Sequence, residues 1–334
     1  MHQRFAEERT GRGDFSCLCF LRMLMTVIRA DILGFCAGVR RAVSAAEQAL
    51  ATQTAAYGAG GVYTFGPLIH NPVALSELAA KGLRVLSADE IPVLTERDTV
   101  LIRAHGVPPT TVTALSATGC TVINATCPLV TQSQRRAACF AERGYTIIFA
   151  GDKNHGEVIG IQGYAEAAAR AQGLDCRFLL VRTAAEAEAL FVDGGALCAE
   201  QDMSHAAASG KFVLLSQTTF SIREFGCISD VIRARIPDVK VIHSICPATH
   251  ERQDALVRLC ATVDGVIVIG GRNSSNTARL FAAAKQHCAH AALIECAEEI
   301  PAAFFGLARL GITAGASTPD SVIDAVEARL RGGR

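Results

Sequence analysis

Three times in this 334-residue chain a cysteine stands where an apolar, strand-like run gives way to an Ala-rich segment with helical spacing. Cys36 lies in Gly34-Phe35-Cys36-Ala37-Gly38-Val39, after the run Val27–Leu33. Cys127 lies in Thr126-Cys127-Pro128-Leu129-Val130-Thr131, after Thr121–Ala125. Cys246 lies in Ser244-Ile245-Cys246-Pro247-Ala248-Thr249, after Val239–Ile245. Basic residues follow early in each helical segment: Arg40 and Arg41, Arg135 and Arg136, Arg252. A step repeated in this way restricts the chain to a fold assembled from similar α/β units. It also puts each sulfur at a strand C-terminus and a helix N-terminus, where a thiol pKa falls and the metal-binding thiolate is favoured. Three such thiolates point to one site built from three units, with an iron–sulfur cluster on Cys36, Cys127 and Cys246 as the leading reading.

The rest of the chain follows the same alternation, which means βαβ units and mainly parallel sheets. The pattern predicts strands at Val62–Phe65, Thr99–Arg103, Tyr145–Ala150, Phe212–Leu215, Gly265–Ile269 and Gly311–Thr313. It predicts helices at Arg41–Ala51, Val73–Ala80, Ser133–Glu142, His250–Ala261, Ala278–His287 and Ser321–Arg331. We divide the chain into an α/β unit over 25–125 with Cys36, a second over 126–242 with Cys127, and a third over 243–334 with Cys246 and the last helix. Gly58–Gly61 is a turn, and 194–209 reads as a loop or insertion before a strand. Residues 1–24 are polar and then interrupted-apolar. They read as an unstructured extension, or as sequence ahead of a true start at Met23 or Met25.

Composition narrows the class. Half the residues are apolar and 19% are charged, enough apolar material for a large core. Lys+Arg and Asp+Glu are equal at 32, so no basic excess points to nucleic acid. No stretch has the apolar length of a membrane helix. Thirteen cysteines without an export signal, an odd number, read as a reducing cytoplasm, and the ten outside the triad as mostly small buried hydrophobes.

Polar residues gather where strands end. Six clusters join the three cysteine turns: 66–71 with His70, 104–106 with His105, 151–157 with His155 and Glu157, 216–219 with Thr218, 270–276 with Ser274, Ser275 and Asn276, and 314–317 with Ser317. Ligands of open parallel sheets bind beyond the strand C-termini. Three units pointing those ends at one centre would line a single cavity with all nine. Each cluster alone is explained by turn formation and helix capping; so many, several with His or Cys, are not. Asn273-Ser274-Ser275-Asn276 opens a helix at Thr277 and suits phosphate, although it has neither a P-loop lysine nor a Rossmann spacing. His70, His105 and His155 could contact phosphate, relay protons or ligate a metal. Glu157 beside anions in a closed cavity would have a raised pKa and could donate a proton, the alternative being a helix-dipole glutamate.

With these residues in hand, the chain resembles the 4-hydroxy-3-methylbut-2-enyl diphosphate reductase family of the non-mevalonate isoprenoid pathway. The likeness runs from Thr26 to Leu330. It rests on Gly34-Phe35-Cys36-Ala37-Gly38-Val39-Arg40-Arg41-Ala42, Ala104-His105-Gly106-Val107, Ala125-Thr126-Cys127-Pro128-Leu129-Val130, His155-Gly156-Glu157-Val158, Ser216-Gln217-Thr218-Thr219, Ile245-Cys246-Pro247-Ala248-Thr249 with Arg252-Gln253, Asn273-Ser274-Ser275-Asn276 and Thr313-Ala314-Gly315-Ala316-Ser317. The resemblance implies a trefoil of three α/β units around a 4Fe–4S cluster with three protein ligands, Cys36, Cys127 and Cys246, and one open iron. It implies diphosphate contacts at His70, His105, His155, Ser274, Ser275, Asn276 and Ser317. Glu157 would be the proton source and Thr218 its partner. The implied reaction is a two-electron reductive dehydroxylation giving isopentenyl and dimethylallyl diphosphates, with ferredoxin or flavodoxin as electron donor. The chain departs from the family at Gly156, where proline is usual, at the longer 194–209 stretch and at its N-terminal extension. Two rivals are weighed against this reading. Quinolinate synthase also holds a cluster on three cysteines but would not need the Ser/Asn set. A redox-sensing iron–sulfur protein would need neither Glu157 nor Thr218.

Overall fold

In the computed structural model, residues 25–55, 60–192 and 210–332 are described. The expectations for residues 1–24 and 194–209, and for part of the 58–61 turn, lie outside them. In chain order the elements are β1 (Thr26–Arg29), α1 (Ala37–Ala55), β2 (Val62–Phe65), α2 (Pro72–Ala80), β3 (Leu83–Leu86), β4 (Thr99–Ile102), α3 (Pro109–Ala117), β5 (Thr121–Asn124), α4 (Pro128–Ala141), β6 (Thr146–Ala150), α5 (Gly156–Ala171), β7 (Phe178–Val181), α6 (Ala184–Ala189), β8 (Phe212–Ser216), α7 (Ile222–Arg235), β9 (Lys240–Val241), α8 (Pro247–Cys260), β10 (Gly265–Ile269), α9 (Ser275–His287), β11 (His290–Ile294), β12 (Arg309–Ala314) and α10 (Asp320–Gly332).

The strands form three four-stranded sheets, ordered β3-β2-β4-β5, β7-β6-β8-β9 and β11-β10-β12-β1. The pairings are parallel. One topology therefore recurs three times, as a chain of three pseudo-repeats predicts. Its first and third strands are central, its second strand forms one edge, and its fourth forms the other. In the third sheet the fourth place is taken by β1, whose Thr26–Arg29 pairs with Arg309–Ile312 of β12. That sheet is built from both ends of the described chain.

Central strands read as nearly unbroken apolar runs because both their faces are covered. Along β10, Ile267 and Ile269 face α10, while Val266 and Val268 face α8 and α9. The other sheets likewise carry a core on each face. Burying each such aliphatic side chain contributes roughly 1.5–3 kcal/mol, so the central strands form a rigid platform for the loops at their C-terminal ends. No helix among the described residues is long and apolar enough to cross a membrane.

Two expected strands are shorter than their apolar runs. Val27–Leu33 supplies only β1, and Val239–Ile245 only the two residues of β9. Both are edge strands with a neighbour on one side. Beyond β9 the Ser244 hydroxyl takes over the ladder: it accepts from the Ser216 N–H at 2.8 Å and donates to the Ser216 carbonyl at 2.8 Å. The helices after the cysteines begin earlier than periodicity predicts. Pro128 and Pro247 stand at the starts of α4 and α8, where a missing N–H costs nothing. The helix expected at Thr277 starts at Ser275, with Ser274 as its cap.

Candidate active site

The cysteines occupy equivalent places, each following the fourth strand of a sheet: Cys127 after β5, Cys246 after β9, Cys36 after β1. Each backbone N–H donates to a carbonyl in the loop after the third strand of the same sheet. The distances are 2.9 Å from Cys127 to Ala104, 2.8 Å from Cys246 to Thr218 and 3.0 Å from Cys36 to Ala316. All three thiols are free and partly buried. Backbone N–H groups of the first helical turn point at the sulfurs: Val39 at Cys36 at 3.4 Å, Leu129 and Val130 at Cys127, Ala248 and Thr249 at Cys246. The expectation that this position by itself lowers the thiol pKa is corrected. Burial pushes the Cys127 and Cys246 thiols up, and the N–H groups only partly oppose it. What the position supplies is a set of donors ready for sulfur charge once something else stabilises the thiolate. Gly38 leaves the space the sulfurs need, since a Cβ there would sit 2.7 Å from the Cys127 Sγ and 3.9 Å from the Cys36 Sγ.

Two arginines lace the cysteine turns across sheets. Arg41 on α1 donates to the Thr126 carbonyl at 2.7 Å, beside Cys127. Arg252 on α8, 3% exposed, donates to the Gly34 carbonyl at 2.6 Å, two residues before Cys36.

Glu157 and Thr218 meet between the sheet loops. The Thr218 N–H donates to Glu157 Oε1 at 2.7 Å and its hydroxyl to Oε2 at 2.9 Å. Glu157 is 1% exposed, and burial pushes its carboxyl up to about 7 against these two hydrogen bonds. Gly156 does not loosen it. His155 caps α5, its Nδ1 accepting from the Glu157 N–H at 3.2 Å, so the first turn is fixed on both sides of the glycine.

The histidines come together as a trio. Ring centroids are 4.4 Å apart for His70 and His105, 5.6 Å for His70 and His155, and 5.2 Å for His105 and His155. Burial lowers all three pKa values, His155 to about 4 and His105 well below its ordinary value, so the trio is neutral at neutral pH. Their ligand atoms all lie within 4.8 Å of one another, close enough for a metal ion. Ser317 joins the trio, its hydroxyl donating to the His70 carbonyl at 3.0 Å, and Ser274 also lines the cavity, its side chain accepting from the Thr277 N–H at 3.3 Å. The Ser275 hydroxyl is turned to Asp152 at 2.7 Å, and Arg279 holds the same carboxylate at 2.9 Å. Three buried polar atoms of the cavity wall have no partner: His105 Nδ1, Asn276 Nδ2 and Arg252 Nε.

Every candidate residue from the sequence lines one shared cavity. Arg252, Thr219 and Thr249 line it as well, unassigned from the sequence although each lies inside a quoted motif. Asp152, Arg279 and Arg103 act from just behind the lining. Asp152 lies inside the 151–157 cluster and Arg103 ends the predicted strand Thr99–Arg103, but what marks these residues and Arg279 individually is the company they keep in space.

Comparison with known proteins places this geometry in a family. The sequence model of the family described as LytB protein matches residues 27–331. A 4-hydroxy-3-methylbut-2-enyl diphosphate reductase of Treponema denticola is 43% identical over 311 residues, covering 92% of this chain and 99% of the relative. The reductase of that name from Aquifex aeolicus is 37% identical over 309 residues, covering 92% and 96%. A solved structure of (E)-4-hydroxy-3-methyl-but-2-enyl diphosphate reductase, described as the terminal enzyme of the non-mevalonate pathway, aligns with a TM-score of 0.64 at 36% identity, covering 92% of this chain and all of that one. The Plasmodium falciparum E-1-hydroxy-2-methyl-but-2-enyl-4-diphosphate reductase, 24% identical over 90% of this chain and 86% of its own, shares the fold with a TM-score of 0.74. With the family's sequence model spanning all three sheets and reductases this similar along nearly their whole length, the chain belongs to the LytB family.

Proposed function

We propose that this chain reduces 4-hydroxy-3-methylbut-2-enyl diphosphate to isopentenyl and dimethylallyl diphosphates, releasing the hydroxyl as water. The change consumes two electrons and two protons. One observation carries the reading. Three free cysteines in equivalent positions share a cavity with a buried Glu157–Thr218 pair and with unpartnered polar atoms of His105 and Asn276.

The donor set fits a cluster. Three soft sulfur ligands converge, N–H groups point at them, and Gly38 leaves the room. We assign a 4Fe–4S cluster to Cys36, Cys127 and Cys246, with one iron open and a ferredoxin- or flavodoxin-type donor. When bound, such a group supplies the electrons and an open metal position that polarises the substrate hydroxyl.

The chain's own residues do the rest. The α9 N-terminus, with Ser274, Ser275 and Asn276, offers N–H groups and hydroxyls to the diphosphate. His70, His105, His155 and Ser317 close around its other side. For Ser275 to donate to a phosphate, its hydroxyl must leave Asp152, whose charge Arg279 then still balances. Holding the diphosphate fixes the far end of a small substrate beside the cysteines. The backbone N–H holds Glu157 Oε1, while a protonated Oε2 can donate to the Thr218 hydroxyl 2.9 Å away, which then turns its own hydrogen onward. An anion suits the histidine trio better than a metal dication, because the Arg103 guanidinium acts on all three rings and would repel the dication.

Anaerobically purified protein should be brown, with broad visible absorbance, and should turn over the diphosphate substrate with a low-potential reductant. Cys127→Ser should lose most iron and sulfide, while Cys260→Ser should keep them. Full cluster retention in Cys127→Ser, or a loaded wild-type protein inert toward the substrate, would overturn the proposal.

A further inference from the structure

Arg103 sits where the three histidine-bearing loops meet. It ends the run of β4, two residues before His105, and its Nε donates to the Gly106 carbonyl at 3.3 Å. Its Nη1 lies 2.8 Å from where a Cβ would stand on Gly66, which opens the loop to His70. Its Nη2 lies 2.5 Å from the same point on Gly156, next to His155. One guanidinium thus touches all three loops, each at a glycine: Gly106 through its carbonyl, Gly66 and Gly156 through the space a Cβ would fill. A side chain at either position would have to push it aside.

This charge has no counter-ion. Arg103 is half-buried, burial lowers its pKa, and among the described residues no carboxylate pairs with it. The other charged groups that face the three rings are Asp152 and Arg279, which are spent on each other at 2.9 Å. Lys153 is exposed. A partly desolvated, unpaired guanidinium beside three neutral imidazoles is unfavourable unless an anion completes the site. The partnerless His105 Nδ1 and Asn276 Nδ2 mark the same deficit.

We propose that Arg103 is the fixed positive charge of the diphosphate end: a positioning residue that gathers the His70, His105 and His155 loops around its guanidinium and draws the diphosphate to them. This rests on reading the cavity as a diphosphate site. Arginine suits the task because its planar fork can reach three carbonyl and glycine edges at once and stays charged when partly buried.

The test is calorimetric binding of inorganic pyrophosphate to cluster-loaded protein. Wild type should bind, and Arg103→Gln should bind about 10- to 100-fold more weakly, the scale of removing one nearby unpaired positive charge from an anion site. The cluster absorbance should be unchanged. Arg103→Lys should recover part of the affinity, and KM for the substrate should rise far more than kcat falls. Equal pyrophosphate affinity in wild type and Arg103→Gln would overturn the role of Arg103 alone; a wild type that ignores pyrophosphate would overturn the diphosphate site itself. Should Arg103→Gln fail to fold, wild type carries the test. Pyrophosphate should protect Arg103 from an arginine-specific dicarbonyl, read by peptide mass spectrometry, and equal modification with and without it would overturn the proposal.

Discussion

Glu157 lives in an environment that reverses the ordinary behaviour of a carboxyl group. At 1% exposure its charged form is desolvated, and its pKa rises to about 7 although Thr218 donates to both oxygens. A general acid must be protonated, so kcat/KM should be high below about pH 7 and fall as pH rises through that value. Glu157→Gln keeps the shape and one donor but carries no acid. It should cut turnover by about 100- to 10,000-fold and leave the cluster spectrum and pyrophosphate binding intact. The same shift has a stability consequence. A folded-state pKa above the unfolded one gives stability that is complete below the ordinary carboxyl range and lost as pH rises through about 7. Denaturation of wild type at pH 8 and pH 6 should therefore differ by more than that of Glu157→Gln. Turnover of Glu157→Gln at the wild-type rate, with His155→Asn inactive yet still binding, would move the acid role to the histidine. At this scale the sequence picked out residues that come to line one cavity, but not how burial tunes them. It read the cysteine positions as lowering thiol pKa, whereas burial wins over the helix N–H groups at Cys127 and Cys246.

At the scale of elements, four cavity loops enter a helix capped by a side chain, Asn71 on α2, His155 on α5, Ser221 on α7 and Ser274 on α9. Asn71 shows the coupling. It follows His70, is 1% exposed, and its Oδ1 accepts from the Ala74 N–H at 3.0 Å to cap α2. Asn71→Ala should cost about 1 kcal/mol of stability, measured by chemical denaturation, and should weaken pyrophosphate binding because the cap also sets the His70 turn. Unchanged stability would mean that the turn is held by its neighbours instead. The central strands were legible because β-branched and aliphatic residues run unbroken through them, as in β6 and β10. The edge strands β3, β7 and β11 escaped that reading: Arg84 interrupts β3 and His290 opens β11, while β7 is apolar throughout but only four residues long. The two-residue β9 was overread for the opposite reason: Ile242 and Ile245 continue the apolar run by packing on the sheet's two cores, where a serine hydroxyl replaces the ladder.

At the scale of the molecule, three sheets are held in register around the cysteines by contacts that cross between them. Arg252 donates to Gly34 on the Cys36 turn, and Arg41 to Thr126 on the Cys127 turn. Arg252→Met would take the Arg252 donor from the buried Gly34 carbonyl and should cost about 1–3 kcal/mol. Iron content should fall with it, as the Cys36 turn loosens relative to Cys246. Wild-type stability and full iron loading in Arg252→Met would show that sheet packing alone aligns the cysteines. By itself the sequence determined the kind of element at most positions, the threefold strand–cysteine–helix step and the identity of the residues at the strand ends, because periodicity, turn chemistry and capping act over a few residues. Only the tertiary structure decided that β1 pairs with β12 to complete the third sheet, that Arg103 gathers three histidine loops, and that Asp152 and Arg279 stand behind Ser275. Those facts depend on which distant segments exclude water from one another, and desolvation and unpaired charge exist only once the three sheets have closed around a common centre.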